Sequence, residues 1–237
     1  MSEAELYERA IANDSVAISE AQIVVVGKLY SKFYAITKRM FDIIAGLFGC
    51  MATVPLLALV KVVYLINGDT APVLFTQKRI GKNGKEFNFY KIRTMYVDAD
   101  QRLEEMLKSD EEIAAEYAKN KKLKNDPRIT KAGKYFRKSS LDEFPQFLNV
   151  LKGDMSLVGN RPYMPREKSD IRQDQFNLII KTKPGITGFW QVSGRSNIDF
   201  SDRVRMEALY SEYANLKMDT QIFLKTFLSV LRKDGAD

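Results

Sequence analysis

A run of eighteen residues without a charged side chain restricts the fold of this chain more than any other feature. It covers residues 43–60, between Asp42 and Lys61, and the apolar character continues to Ile66. Eighteen uncharged residues reach the length at which a segment becomes a candidate membrane helix. A buried core helix is the alternative, but such helices are normally amphipathic and this run is apolar on all sides. A cleaved signal peptide is disfavoured because the run begins far from the N-terminus.

Two details predict a re-entrant helix rather than a straight span. Pro55 lies near the middle of the run, where it removes a backbone donor and kinks a helix. Basic residues flank the run on both sides, and the positive-inside rule places both flanks on the cytoplasmic side. A bent helix that enters and leaves the same leaflet satisfies this rule, and a single span is the alternative. The flanking cations are Lys28, Lys32, Lys38 and Arg39 before the run and Lys61, Lys78, Arg79 and Lys82 after it.

The chain is expected to have three parts: a mobile acidic tail (1–20), an N-terminal segment with the membrane helix (21–67) and a compact cytoplasmic domain (68–237). A β-like run is expected at residues 23–26. Strands are expected at 73–75 and 87–92, joined through an Asn83-Gly84 hairpin turn. The predicted fold class is therefore mainly α with a small β element. Its helices are predicted at residues 98–122, 131–137, 140–151, 166–181, 201–213 and 219–233.

The residue inventory excludes several kinds of site. The chain has no histidine and a single cysteine, Cys50, within the apolar run. A Ser-His-Asp triad, a disulfide framework and a His- or Cys-ligated metal are therefore excluded. Any metal must be held by oxygen, as magnesium is. The net charge of +7 favours an anionic partner: a nucleic acid, an anionic membrane or a phosphorylated substrate.

The densest polar cluster lies at residues 137–146, RKSSLDEFPQ. Asp142 and Glu143 are adjacent, close to Arg137, at the predicted start of a helix. One interpretation is structural, with Ser140 and Glu143 forming a capping box. The functional interpretation is that Arg137 and the helix dipole lower the pKa of Asp142 and keep it ionised. An ionised aspartate can bind magnesium or attack phosphorus.

Several blocks of the chain resemble one family, in collinear order from about residue 38 to residue 233. The main block is SLDEFPQFLNVLKGDMSLVGNRP at residues 140–162, preceded by PVLFTQKRIGKNGKEFNFYKIRTM at 72–95. Further blocks are NDPRITKAGKYFRKSSLDE, KPGITGFWQVSGRS and MDTQIFLKT. Together they resemble the bacterial sugar transferases, the monotopic polyprenyl-phosphate phosphoglycosyltransferases. Two departures stand out: Val54 replaces the family's serine before the helix-breaking proline, and Asn160 replaces its usual proline before Arg161.

The resemblance implies a role for seven residues. Asp142 would be the covalent nucleophile and a magnesium ligand, with Glu143 as its partner in the catalytic dyad. Substrate binding is expected of Lys91, Arg137, Arg161, Arg195 and Asp219, which match basic or acidic positions of the family blocks. Taken alone, Asp219 would also serve as an N-cap.

The resemblance also implies an activity. The enzyme would transfer a hexose-1-phosphate from a UDP-sugar to undecaprenyl phosphate, with magnesium as cofactor, giving undecaprenyl-diphosphate-sugar and UMP. That is the first membrane step of polysaccharide assembly, at the cytoplasmic face of the bacterial inner membrane, with membrane lipids and no nucleic acid as partners. The sugar and the oligomeric state are left open. The alternative is a membrane-anchored, non-enzymatic scaffold or nucleic-acid-binding protein, although no nucleic-acid-binding motif is found.

Overall fold

The computed structural model describes residues 32–120, 123–193 and 198–232. The predicted acidic tail and the β-like run at residues 23–26 lie outside them. Within the described ranges the fold is mainly helical, with two two-stranded sheets, as the sequence predicts. The division of the chain at residues 20 and 67 stays a prediction.

The uncharged run forms the central part of one long helix, α1 (Lys32–Ile66), which is continuous through Pro55. The helix is long and apolar enough to cross a membrane, and only 22% of its most apolar window is buried. A core helix would be mostly buried, so this exposure argues against that alternative. Whether α1 enters and leaves the same leaflet stays a prediction. Its exposed large side chains include Phe33, Ile36, Met40, Phe41, Ile44, Leu47, Phe48, Met51, Val54 and Leu59.

The other face of α1 docks on the rest of the protein. Arg39 donates to the carbonyl oxygens of Val150 and Leu151, at 2.7 and 2.8 Å. The Asp42 carboxylate accepts from the Ser156 hydroxyl at 2.9 Å and from a neighbouring backbone amide at 2.8 Å. One face of α1 is therefore fixed by polar contacts while the opposite face is apolar and exposed.

The predicted hairpin is confirmed. Strand β1 (Leu74–Ile80) pairs antiparallel with β2 (Glu86–Ile92), and the register places Leu74 opposite Ile92. The turn between them has left-handed backbone at Asn83 (φ 59°) and Gly84 (φ 76°). Asparagine and glycine are the residues that tolerate this conformation best.

The predicted helix over residues 98–122 is wrong in one respect, because it is two helices. These are α2 (Ala99–Ser109) and α3 (Glu111–Asn120). Between them Asp110 has extended backbone (φ −138°), and its carboxylate accepts from the amides of Glu112 and Ile113 at 2.9 and 3.0 Å. An aspartate that caps the next helix ends the previous one.

The single helix predicted at residues 140–151 is also wrong. Helix α4 (Lys131–Lys138) ends, and Ser140 then adopts left-handed backbone (φ 54°) with no side-chain cap. One 3₁₀ turn follows (Leu141–Glu143), and α5 (Gln146–Lys152) begins after Pro145. The capping box proposed for Ser140 and Glu143 does not form, because Ser140 has left-handed backbone and the residues after it form a 3₁₀ turn.

The remaining elements build the core beside these turns. Strand β3 (Ser156–Val158) pairs parallel with β4 (Gly185–Thr187). In place of the helix predicted at 166–181 there is a 3₁₀ helix (Pro165–Asp170) and α6 (Gln173–Ile179). The last helices are α7 (Phe189–Ser193), α8 (Phe200–Tyr213) and α9 (Leu216–Arg232). A buried apolar cluster joins α6 to α8 and contains Tyr163, Ile171, Phe176, Ile179, Phe200, Val204 and Ala208.

Candidate active site

Lys91 and the two adjacent carboxylates meet where β2 ends against the 3₁₀ turn Leu141–Glu143. The Lys91 ammonium lies 2.7 Å from Oδ2 of Asp142 and 3.8 Å from Oε1 of Glu143. The Asp142 side chain is 3% exposed, whereas Lys91 and Glu143 retain 27% and 34% exposure. The site is thus a buried carboxylate with a cation and a second carboxylate at its solvent side.

Arg137 approaches the same carboxylate from α4. Its Nε donates to the Thr94 hydroxyl at 2.9 Å. Burial lowers the pKa of Arg137, and the charges of Asp142 and Asp126 oppose that shift. Helix α4 lies so close to the residues after β2 that a β-carbon at Gly133 would fall 2.0 Å from the Thr94 carbonyl oxygen. Only glycine permits this approach, which brings Arg137 to the dyad.

The groups that surround Asp142 and Glu143 differ from those that the sequence predicts. The expected helix N-terminus is a single 3₁₀ turn, so a helix dipole is not the main stabilising influence on Asp142. Lys91 supplies the neighbouring positive charge instead. Burial raises the pKa of Glu143, the charge of Lys91 opposes that shift, and the charge of Asp142 adds to it. The two carboxylates therefore have distinct surroundings, which suits distinct roles.

The donor set fits magnesium better than it fits a metal that needs a full protein cage. The described residues contain no group of three or more His, Cys, Asp or Glu side chains that could hold a metal. Magnesium is commonly bound by one or two carboxylates together with substrate phosphates and water. Asp142 Oδ2 is buried, and its contact with Lys91 does not have hydrogen-bond geometry. This oxygen and Glu143 are the groups that could hold the ion.

Arg161 belongs to a second polar cluster. Its Nη1 donates to Glu167 at 3.0 Å, and its backbone amide donates to Oε1 of Glu207 at 2.9 Å. The guanidinium also lies over the Tyr163 ring, 5.3 Å from its centroid. The Arg161 side chain keeps 22% exposure although its carboxylate partner is buried.

Asp219 lies in a third cluster, at the N-terminal end of α1. Its carboxylate accepts from the phenols of Tyr34 and Tyr210, each at 2.7 Å, and pairs with Lys38 at 2.5 Å. It sits inside the first turn of α9 rather than at an N-cap. These contacts give Asp219 a role in joining α1 to α9, and its part in substrate binding stays a prediction. Arg195 lies outside the described residues.

The structure thus brings together four of the seven predicted residues: Lys91, Arg137, Asp142 and Glu143. Sequence reasoning missed Thr94, which orients Arg137, and the buried carboxylates Glu167 and Glu207, which hold Arg161. Thr94 lies three residues after Lys91 and just beyond β2, so its closeness in sequence to Lys91 was a signal that it lies near the site. Glu207 had no sequence signal, because it lies on a helix 46 residues further along the chain.

Comparison with known proteins relates this chain to sugar transferases. The sequence model of the family described as bacterial sugar transferase matches residues 33–233. An undecaprenyl-phosphate galactose phosphotransferase of Salmonella typhimurium is 43% identical over 84% of this chain and 41% of its own length. An undecaprenyl-phosphate glucose phosphotransferase of Komagataeibacter xylinus is 32% identical over 86% of this chain and 37% of its own length.

A shorter relative aligns over nearly its whole length. The exopolysaccharide production protein ExoY of Rhizobium meliloti is 35% identical over 84% of this chain and 87% of its own length. By contrast, the chain spans less than half the length of larger curated relatives such as the galactose phosphotransferase. The matched residues include all of α1 after Lys32 and every element that contributes to the dyad.

Proposed function

The chain belongs to the bacterial sugar transferase family, and we propose that it transfers a sugar phosphate from a nucleotide sugar to undecaprenyl phosphate in polysaccharide synthesis. The observation that supports the proposal most strongly is the buried Asp142, ion-paired to Lys91 and flanked by Glu143 and Arg137. A buried carboxylate is costly unless it is compensated. A carboxylate attacks phosphorus in its ionised form, and Lys91 and Arg137 place positive charge beside Asp142.

The proposed chemistry has two displacements. In the first, a carboxylate oxygen of Asp142 attacks the β-phosphorus of a UDP-sugar. The bond from that phosphorus to the bridging oxygen breaks, and UMP leaves with the electron pair. In the second, an oxygen of undecaprenyl phosphate attacks the same phosphorus and the bond to Asp142 breaks, which restores the carboxylate. The product is undecaprenyl-diphosphate-sugar.

The cations of the site are proposed to neutralise the negative charge of the substrate phosphates. Phosphoryl transfer depends on positioning and on neutralising the phosphate oxygens more than on acid–base chemistry. Lys91 and Arg137 would bind these oxygens, and Arg161 would hold a phosphate from the second cluster. Magnesium, held by Asp142 and Glu143, would neutralise further phosphate charge when bound. The absence of histidine from the chain is compatible with this chemistry.

The proposed location is the cytoplasmic face of the bacterial inner membrane, with α1 in re-entrant form. Support comes from the exposed apolar face of α1 and from basic residues at both ends of the uncharged run. Helix α9 exposes a second apolar group at Phe223, Leu224, Phe227 and Leu228. One acceptor is a lipid, so a site held at the membrane surface suits it.

The transferred sugar is proposed to be a hexose, given as its 1-phosphate by a UDP-sugar. Relatives are named for galactose and for glucose, so both are candidates. A panel of UDP-sugars incubated with purified protein, magnesium and undecaprenyl phosphate tests the proposal, with UMP release as the readout. UMP formation with one UDP-hexose, absent from an Asp142→Asn variant, supports it. No release with any nucleotide sugar would contradict it.

The non-enzymatic alternative loses its main structural support. In its scaffold form, Asp142 and Glu143 only help to cap a helix, and the capping box expected of Ser140 and Glu143 does not form. The same Asp142→Asn variant separates the two functions, because a scaffold would keep its activity.

A further inference from the structure

Arg161 is held at both ends by buried carboxylates. Glu167, from the 3₁₀ helix Pro165–Asp170, accepts from Nη1 of Arg161 at 3.0 Å and from the Met164 amide at 2.7 Å. Glu207, from the middle of α8, accepts from the Arg161 backbone amide at 2.9 Å. These two glutamates are 2% and 1% exposed. Neither contacts the dyad among the contacts that the structure describes.

Glu207 is the glutamate whose burial is harder to explain, because it is 1% exposed and lies in the middle of a helix. A buried carboxylate needs strong compensation, and one of its oxygens, Oε2, has no hydrogen bond of standard geometry within the described residues. The bond to the Arg161 amide is charge-assisted, which makes it stronger than an ordinary backbone bond. Glu207 therefore fixes the peptide unit from which the Arg161 side chain extends.

The remaining contacts of Arg161 hold its guanidinium but leave part of the side chain exposed. Glu167 engages Nη1, the Tyr163 ring lies beneath the guanidinium, and 22% of the Arg161 side chain is exposed. An arginine that is held on one side keeps donors on the other, and these can form the paired bonds that phosphates accept. Small movements of the peptide at residue 161 would misdirect those donors.

We propose that Glu207 is a positioning residue for the nucleotide-sugar donor: its carboxylate holds the Arg161 peptide so that the guanidinium faces a donor phosphate. The inference rests on the proposed function, since it assumes that Arg161 binds the donor. It assigns a role in donor binding to α8, a helix that contributes no residue to the dyad cluster described above.

The surroundings of Glu207 give the inference a pH-dependent readout. Burial raises the pKa of Glu207 to about 7, while Tyr163, the Arg161 amide and the charges of Arg161 and Arg203 oppose the shift. Below that pH the carboxyl is protonated and the bond to the Arg161 amide loses its charge assistance. The KM for the donor should therefore rise as the pH falls through about 7. The other charged members of the cluster are Arg79 from β1 and Glu167.

The test compares Glu207→Gln with Glu212→Gln, an exposed position on the same helix. Glutamine keeps an oxygen for the Arg161 amide but does not titrate. We expect Glu207→Gln to raise the KM for the UDP-sugar about tenfold, the loss expected when a charge-assisted bond becomes neutral. The kcat and the KM for undecaprenyl phosphate should stay near wild type, and the pH inflection in the donor KM should disappear. Glu212→Gln should change none of these values.

Two further measurements keep the test decisive. Arg161→Met in an otherwise wild-type chain should raise the donor KM and remove the same inflection, because the residue through which Glu207 acts is gone. If Arg161→Met retains the inflection, or if Glu207→Gln keeps the wild-type KM and pH profile, the positioning role is wrong. A fall in kcat and thermal stability without a change in donor KM would also overturn it, as that is a purely structural effect. Failure of the proposed function would look different, since wild-type protein would then release no UMP with any UDP-sugar.

Discussion

The ammonium of Lys91 lies 2.7 Å from Oδ2 of Asp142, although the two residues come from a strand and from a 3₁₀ turn about fifty residues later. The contact places a positive charge against a carboxylate that is almost fully buried. This cation compensates the buried carboxylate in place of the helix terminus that the sequence suggested. Lys91 therefore has two expected functions, to stabilise the free carboxylate and to receive the phosphate that reacts with it.

Replacing Lys91 tests this pairing. Lys91→Met should lower turnover by about 10²–10³, the loss typical for removal of one preorganised donor at a reacting group. UMP release measures it. The matched control is Lys85→Met, an exposed lysine in the same hairpin, which should retain wild-type turnover. Equal activity in both variants would show that Lys91 has no part in the reaction.

Packing of α1 on α5 depends on a glycine. A β-carbon at Gly49 would lie 2.1 Å from Cγ of Phe147. Gly49→Leu should therefore destabilise the protein by about 1–3 kcal/mol, as overpacking does. Thermal unfolding in detergent measures the loss. Ala52→Leu, at an exposed position of the same helix, should unfold near the wild-type temperature, and a similar loss in both variants would show that the effect is not specific to this contact.

The re-entrant topology gives a labelling pattern. In a Cys50→Ser background, single cysteines introduced at Lys32 and at Lys82 should both be shielded from an impermeant reagent in intact cells. Both should react once the membrane is opened, because the positive-inside rule places both flanks in the cytoplasm. Labelling of one position from outside would establish a single span.

Magnesium dependence is expected to be strict. Exhaustive chelation should abolish UMP release, and added magnesium should restore it, because the oxygen ligands of the dyad suit a hard cation and the substrates carry several negative charges. Unfolding temperatures before and after chelation serve as the control for protein integrity. Full turnover after chelation would remove magnesium from the proposal.

Features that depend on local sequence were predictable. The uncharged run became α1, and the Asn83-Gly84 turn joined two strands close to the predicted positions. Lys131–Lys138 formed the predicted basic helix. In each case the pattern lies within one element, and neighbouring residues determine it.

Features set by tertiary contacts were not predictable. Ser140 looked like a helix cap, but it takes left-handed backbone and its side chain caps no helix. Asp110 lies within a segment predicted as one helix, and it divides two helices by capping the second. The glutamates around Arg161 approach from separate elements, so nothing in the local sequence marked them as partners. The local polar cluster already marked Arg137, Asp142 and Glu143, the resemblance to a family added Lys91, and the fold accounts for their convergence.

The most direct test of the account is the mass of the intact enzyme after incubation with a reactive UDP-sugar and magnesium, without undecaprenyl phosphate. The account predicts an increase equal to one hexose phosphate, release of UMP, and loss of the adduct when undecaprenyl phosphate is added. Asp142→Asn should fold, bind membranes and form no adduct, with turnover lowered by orders of magnitude. Wild-type enzyme that forms no adduct, and that releases UMP only when both substrates are bound, would show direct transfer and contradict Asp142 as the nucleophile.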